Sequence, residues 1–166
     1  MSSHVLLLLT FSWGINICLN LLGHFKRKLP ALRNLDVPID ARLMFFDRQR
    51  LLGDSTTLLG ILIAPSSGMF IGFFLGLPIS LGAIAGICVY LGHACGSFIK
   101  RRLKIKPGDY VPILDHTDSV IMLGMVYYNL GILSLQSIVM AAAVSALFQP
   151  LLCYIGFRLH LRERPL

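Results

Sequence analysis

Five long stretches of this chain carry no Lys, Arg, Asp or Glu: Val5 to Gly23, Leu58 to Leu77, Ile79 to Ile99, Ser119 to Leu135 and Ser137 to Phe157. A helix needs about 20 largely apolar residues to cross the hydrocarbon core of a bilayer. Four of the stretches are of that order; the one starting at Ser119 is shorter. Buried helices of a water-soluble protein would be shorter still and would keep a polar face. Charged residues make up 14% of the chain, against roughly a quarter in a soluble domain. The expected fold is therefore all-α: an integral membrane bundle of about five transmembrane helices, forming a single domain over residues 1–166.

The charges have a side. Residues 24–57 hold Lys26, Arg27, Lys28, Arg33, Arg42, Arg48 and Arg50 with four Asp. Residues 100–118 hold five basic residues and three Asp, and the tail from Arg158 holds three Arg and Glu163. Together these are all 15 basic and all 8 acidic residues. The remaining hydrophilic stretches are the first four residues, a turn at Pro78 and a turn near Gln136, and none is charged. With five spans, charged and uncharged stretches fall on opposite faces. Lys and Arg are retained on the cytoplasmic face. The expectation is a multi-pass protein of the cell membrane, amino terminus outside, carboxyl terminus cytoplasmic, with cytoplasmic loops at about 24–57 and 100–118. The net charge of +7 then reflects topology and attraction to anionic lipid heads, and gives no support for nucleic-acid binding. The first apolar stretch lacks a preceding basic residue and is followed by Lys26-Arg27-Lys28, so it reads as a retained helix rather than a signal peptide. Cys18, Cys88, Cys95 and Cys153 form no CxxC pair and read as packing residues.

Small residues recur at helical spacing. Gly68, Gly72 and Gly76, then Gly82 and Gly86, then Gly92 and Gly96 are each four apart, a pattern that lets helix backbones approach in lipid. Leu77-Pro78 is expected to close a tight hairpin between the second and third spans. Ala141, Ala142, Ala143, Ser145 and Ala146 are the corresponding small contacts of the last hairpin.

A transporter would carry its polar residues within the spans; here they sit at the cytoplasmic mouth, which favours chemistry at the membrane surface. Three elements meet there. Asp54 stands just before a helix start, where unpaired N–H groups favour phosphate and a carboxylate can hold a divalent ion; plain helix capping is the alternative. Lys100, Arg101 and Arg102 end the third span and suit phosphate; anchoring and favourable charge at a helix carboxyl end are the alternative. His93, Ser97 and Lys100 share one helical face at i, i+4 and i+7, with His93 roughly 10 Å inward of Lys100. Asp115 and Asp118 lie one turn apart at another cytoplasmic helix start, where both can reach one metal ion, and capping is again the alternative. The combination suits a magnesium-assisted reaction of a nucleotide with a membrane phosphate.

The same residues resemble the CDP-archaeol synthase family. The likeness runs from Pro38-Ile39-Asp40 through Asp47, Arg50, Leu52-Gly53-Asp54, Thr57 and Gly60. It resumes at Gly96-Ser97-Phe98-Ile99-Lys100-Arg101-Arg102-Leu103, then Gly108, Pro112 and Leu114-Asp115. The resemblance implies a cytidylyltransferase that moves CMP from CTP to a lipid phosphate and releases pyrophosphate, with Mg2+ as cofactor. Its partners would be CTP, a membrane lipid phosphate and the bilayer, with a homodimer as an option. It implies catalytic roles for Asp54, Asp115 and Lys100 and metal contacts from Asp54 and Asp115, to which the one-turn spacing from Asp115 adds Asp118. It implies substrate contacts from Arg50, Gly53, Thr57, Ser97, Lys100, Arg101 and Arg102, with Asp47 alongside. Three positions depart from the family pattern: Ser55-Thr56 replace a Lys, His93 replaces an Asp and His116 replaces a Gln. The departures leave archaeal ether, diacyl and polyprenyl phosphates open as substrates. They also motivate the competing expectation of a catalytically eroded protein that binds anionic lipid or scaffolds lipid enzymes.

Overall fold

The computed structural model describes residues 2–28, 37–54, 56–106, 109 and 111–159. Arg33, Asp36, Ser55, Gly108 and the tail residues Arg162, Glu163 and Arg164, all weighed above, lie outside the described residues, as do the side chains of Lys26, Arg27 and Lys28. The described residues form five helices: α1 (Ser2–Lys28), α2 (Leu58–Phe74), α3 (Ile79–Arg102), α4 (Pro112–Asn129) and α5 (Leu135–Arg158). No strand occurs among the described residues; isolated antiparallel bridges pair Pro38 with Thr57 and Met44 with Arg50. Ser3–Gly23 of α1, all of α3 and all of α5 are long and apolar enough to cross a membrane. α2 is equally apolar but has 17 residues, about 25 Å at the helical rise. α4 spends its first two turns on Asp115 and Asp118. The all-α bundle is as expected, with three of its five helices meeting the spanning criteria outright.

α2 and α3 form the tightest pair, and their glycines are the reason. A Cβ on Gly68 would stand 2.1 Å from the Gly82 carbonyl oxygen, and one on Gly86 would stand 2.1 Å from that of Ala64. The two backbones touch, which only glycine allows. Gly76 does not continue this row. It sits past the end of α2 with φ +68 and open space around its Cβ position, so it turns the chain instead of packing it. Gly92 and Gly96 face α4: their Cβ atoms would meet the Asp118 carbonyl oxygen at 2.7 Å and its Oδ2 at 2.6 Å.

The second turn also differs from expectation. It lies at Leu130–Ser134, before α5, and Gln136 is already helical. Its signal is masked because Ile132 and Leu133 are apolar and Leu133 is buried; Gly131, at φ +71, makes the bend. α1 supplies Leu8, Phe11 and Ile15 to the core, all fully buried. Phe11 meets Tyr127 edge-on at 6.4 Å between centroids, and Ser12 shares a 2.8 Å hydrogen bond with Ser119 of α4. Direct side-chain hydrogen bonds of this kind satisfy polar groups that lipid cannot.

Candidate active site

The charged end of the bundle is built where the start of α2, the end of α3 and the start of α4 come together. The loop preceding α2 folds around one buried carboxylate, Asp40, which is 3% exposed. Its Oδ1 accepts from the Arg42 amide at 3.0 Å and its Oδ2 from the Leu52 amide at 3.1 Å. Arg50 adds guanidinium contacts at 3.0 and 3.3 Å. Burial by itself pushes this carboxyl up; the Arg42 and Leu52 amides and then Arg50 outweigh it and hold the group below the usual carboxylate range. The hub supports a loop with three non-glycine residues at positive φ: Ala41, Arg42 and Arg48. Such a backbone persists only where neighbouring contacts over-determine it.

Arg50 reaches from that hub to Asp54, whose Oδ1 lies 2.5 Å from its Nη1. The Arg50 guanidinium is raised above its ordinary value, chiefly by the hydrogen bond it donates to Asp54, so it stays charged throughout. Asp54 itself is open, with a side chain 67% exposed. Gly53 is buried and its carbonyl accepts from the Thr56 amide at 3.2 Å. Thr57 caps α2: its Oγ1 accepts from the Gly60 amide at 3.4 Å, and its carbonyl accepts from the Tyr90 hydroxyl at 2.5 Å. A Cβ on Gly60 would stand 2.5 Å from the Tyr90 ring, so that glycine lets Tyr90 reach the cap.

The basic cluster splits by role. Lys100 pairs with Asp115 of α4, Nζ to Oδ1 at 2.7 Å, and also donates to the Asp109 carbonyl at 3.3 Å. Asp115 Oδ2 accepts from the amide of Val111, the N-cap residue of α4, at 3.0 Å, so this first-turn carboxylate reaches back to the helix start as well as pairing with Lys100. Arg102 lies across two rings, 4.6 Å from the Phe45 centroid and 4.9 Å from that of Phe98. It donates to the Arg50 carbonyl at 2.6 Å and faces Asp47 at 3.2 Å. It therefore ties the loop to the end of α3. Arg101 is buried at 7% exposure and donates to the Ile105 carbonyl, closing the end of its own helix. Ser97 lies half-buried one turn before Arg101.

His93 bridges two helices. Its Nδ1 is 3.2 Å from Asp118 Oδ2, and its Nε2 meets Asn16 Oδ1 of α1. Asp118 Oδ1 accepts from the Ser119 amide at 2.5 Å. Asp115 and Asp118 thus each face a separate basic partner. Thr56 is buried at 3% exposure and its carbonyl accepts from the Ile39 amide at 3.0 Å. His116 is buried at 2%, and its carbonyl lies 2.6 Å from the Ser145 hydroxyl.

Among the described residues no group of three or more His, Cys, Asp or Glu side chains is placed to hold a metal ion unaided. Mg2+ needs no such cage: it keeps several waters and binds through one or two carboxylates plus substrate phosphates. Asp54, exposed and with Arg50 on one oxygen only, fits that requirement. Asp115 carries Lys100 on Oδ1 and the Val111 amide on Oδ2, each oxygen keeping a second lone pair. The roles of two residues in this arrangement were hidden in the sequence. Asp40 is one loop Asp among four, and its burial depends on folded-loop contacts that no spacing reveals. Asn16 is marked only by being polar inside an apolar stretch.

The family described as CarS-like, CDP-archaeol synthase, matches residues 31–166. The chain is 32% identical over 133 residues to the CDP-archaeol synthase of Pyrobaculum islandicum, covering 77% of this chain and 81% of that one. It is 29% identical over 134 residues to that of Sulfolobus acidocaldarius, covering 77% and 82%, and 28% identical to that of Methanococcus maripaludis, covering 95% and 97%. A solved structure described as "Structural insight into an intramembrane enzyme for archaeal membrane lipids biosynthesis" shares the fold with a TM-score of 0.66 and 24% identity, covering 92% of this chain and 90% of that one. The matched stretch contains the Asp40 hub, the Arg50–Asp54 pair, the Lys100–Asp115 pair and all of α2 to α5, and on that ground this chain belongs to the CDP-archaeol synthase family.

Proposed function

We propose that the protein transfers CMP from CTP to a membrane-embedded lipid phosphate and releases pyrophosphate, at the cytoplasmic end of the bundle. The observation that carries this reading is that the Lys100–Asp115 and Arg50–Asp54 pairs are joined through the end of α3, where Arg102, two residues from Lys100, donates to the Arg50 carbonyl. A lipid phosphate oxygen attacks the α-phosphorus of CTP; the bond to the bridging oxygen breaks and pyrophosphate leaves. Phosphoryl-type transfer of this kind depends on positioning and charge neutralisation more than on covalent chemistry by the protein. When bound, Mg2+ would supply charge neutralisation to the triphosphate. Asp54 and Asp115 are the carboxylates that would contact the metal. Lys100 is held poised by Asp115 and would pass to a phosphate oxygen when substrate binds. Arg50 is kept charged by Asp54 and Asp40 and faces the same mouth. Arg101 and Arg102 hold the end of α3 and the loop in place, and we assign them positioning roles.

The eroded-scaffold reading is not favoured. Erosion removes the partners of a catalytic set, whereas Asp54, Arg50, Lys100 and Asp115 are all present and paired. The test is pyrophosphate release by purified protein in liposomes, with CTP, Mg2+ and a panel of archaeal ether, diacyl and polyprenyl phosphates. Release that depends on one lipid supports the reading and identifies the substrate. Absence of release with every lipid, from folded protein, overturns it. Lys100→Ala should reduce turnover by roughly a hundredfold or more, the scale of losing one charged stabiliser; near-normal turnover would return Lys100 to anchoring.

A further inference from the structure

The tip of the loop before α2 leaves apolar side chains exposed at the charged end of the bundle. A short hairpin forms there. Met44 bridges to Arg50, the Phe45 amide donates to the Gln49 carbonyl at 2.8 Å, and the Arg48 amide donates to the Phe45 carbonyl at 2.9 Å. Phe46 stands in that turn and is 97% exposed, with Leu43 and Met44 exposed beside it. Apolar side chains gathered on a surface mark an interaction site. The level of the hairpin in the bundle says what meets them. The Phe45 ring lies 5.1 Å from Phe46 and 5.6 Å from Phe98 of α3, centroid to centroid. Phe98 belongs to the uncharged stretch of α3, about 6 Å short of Arg102 at the helical rise. Next to it runs the outward face of the same spanning helix, where Leu91 and Ile99 are exposed, with Leu103 just past its end. The hairpin therefore lies against the last turns of a membrane span, and its apolar tip continues that helix's lipid-facing surface.

The charges of the hairpin are sorted to match. Asp47 turns to Arg102 at 3.2 Å, and Arg50 turns to Asp40 and Asp54. Arg42 and Arg48 are exposed, and neither makes an ion pair among the described residues. Two outward cations flank three outward apolar side chains, which suits a bilayer surface that carries anionic heads. We infer that this hairpin docks on the leaflet at the charged end of the bundle: Leu43, Met44 and Phe46 enter the acyl boundary, and Arg42 and Arg48 meet anionic head groups. The inference goes beyond the proposed transfer reaction and does not require it. It also links the bilayer surface to the site. Phe46 packs on Phe45, Arg102 lies over the Phe45 ring, and Arg102 donates to the Arg50 carbonyl, so docking steadies the loop that carries Arg50 and Asp54.

The test uses the full-length protein with its four native cysteines replaced and Met44→Cys carrying an environment-sensitive NBD fluorophore. Nanodiscs of phosphatidylcholine with rising phosphatidylglycerol supply the surface, and lipid brominated high on the acyl chain is the quencher. The expected result is blue-shifted emission, quenched by brominated lipid, that grows with the anionic fraction and weakens in high salt. Arg42→Gln and Arg48→Gln should each weaken docking roughly fivefold, the worth of one cation at an anionic surface. Phe46→Ser should weaken it roughly tenfold or more, the scale of withdrawing one buried Phe. The thermal midpoint of each variant checks that the bundle is intact. Docked and released hairpins exchange, so trypsin still reaches Arg48, at a rate that should fall as the anionic fraction rises. Water-like emission, unquenched at every lipid composition, overturns the docking. Blue-shifted emission that brominated lipid does not quench also overturns it, and assigns the tip to a second copy of the chain. Docking without pyrophosphate release would reject the reaction and keep the docked hairpin; release without docking would do the reverse.

Discussion

At the scale of single residues, the folded charged end depends on Asp40 more than on any of the carboxylates proposed for chemistry. Asp40 is buried and accepts from two amides and one guanidinium, whereas Asp54 is open. The two should separate in experiment. Asp40→Asn should destabilise the loop by about 2 kcal/mol, the scale of a charge-assisted hydrogen bond lost in a buried setting, and speed tryptic cleavage at Arg42 and Arg48. Asp54→Asn should leave that cleavage unchanged while removing most turnover. The pH dependence follows from the direction of the Asp40 shift. Its folded carboxyl is held below the ordinary value, so its contribution is complete above about pH 4 and is lost as pH falls through the lowered folded value. Tryptic cleavage is too slow in acid to read this, so pepsin sensitivity between about pH 4 and 2 is the measure. Wild-type protein should become pepsin-sensitive across that window. Asp40→Asn should be sensitive throughout. A wild-type profile in the variant would remove Asp40 as the hub.

At the scale of elements, the α2–α3 pair is held at backbone contact by residues that have no side chain. Gly86→Ala would place a methyl 2.1 Å from the Ala64 carbonyl oxygen and 2.5 Å from the Pro65 Cα. Neither can swing aside, so the helices must part. The expected loss is about 2–4 kcal/mol, at or above the range for overpacking a tight core, seen as a lower thermal midpoint in detergent. Gly76→Ala meets nothing within 4 Å and should lose only about 1 kcal/mol through its positive φ. The contrast explains what was readable in advance. Uncharged apolar length announced the helices, and four-residue glycine spacing announced the α2–α3 contact. The same spacing misplaced Gly76, because a C-terminal glycine and a packing glycine look alike in a row. The turn before α5 was misplaced because Ile132 and Leu133 continue the apolar run. The site was legible as residue types at one end of the bundle. Its pairing was not: which carboxylate met Lys100, which met His93 and which lay buried were set by contacts between elements far apart in sequence.

At the scale of the whole molecule, the distribution of charge makes one orientation testable. The loop before α2 and the stretch from the end of α3 to the start of α4 hold every acidic side chain among the described residues, and they share one end of the bundle. The proposed reaction uses CTP, a cytoplasmic solute, and positively charged loops stay on the cytoplasmic side, so the orientation we propose has this end inside. The loop provides its own reporter, since Phe46 is 97% exposed beside Arg48. In sealed right-side-out vesicles, trypsin should leave Arg42 and Arg48 intact; in inverted vesicles it should cut there, and bound CTP with Mg2+ should slow the cut. The Pro78 turn between α2 and α3 should show the opposite access when a cysteine is placed at Ser80 and labelled with an impermeant maleimide, in a background with the four native cysteines replaced. Cleavage from outside would invert the topology and detach the charged end from its nucleotide. Cleavage from inside without protection by CTP would keep the topology and place the nucleotide away from the Asp40 loop. Only internal cleavage with protection joins the orientation of the bundle to the reaction proposed for its charged end.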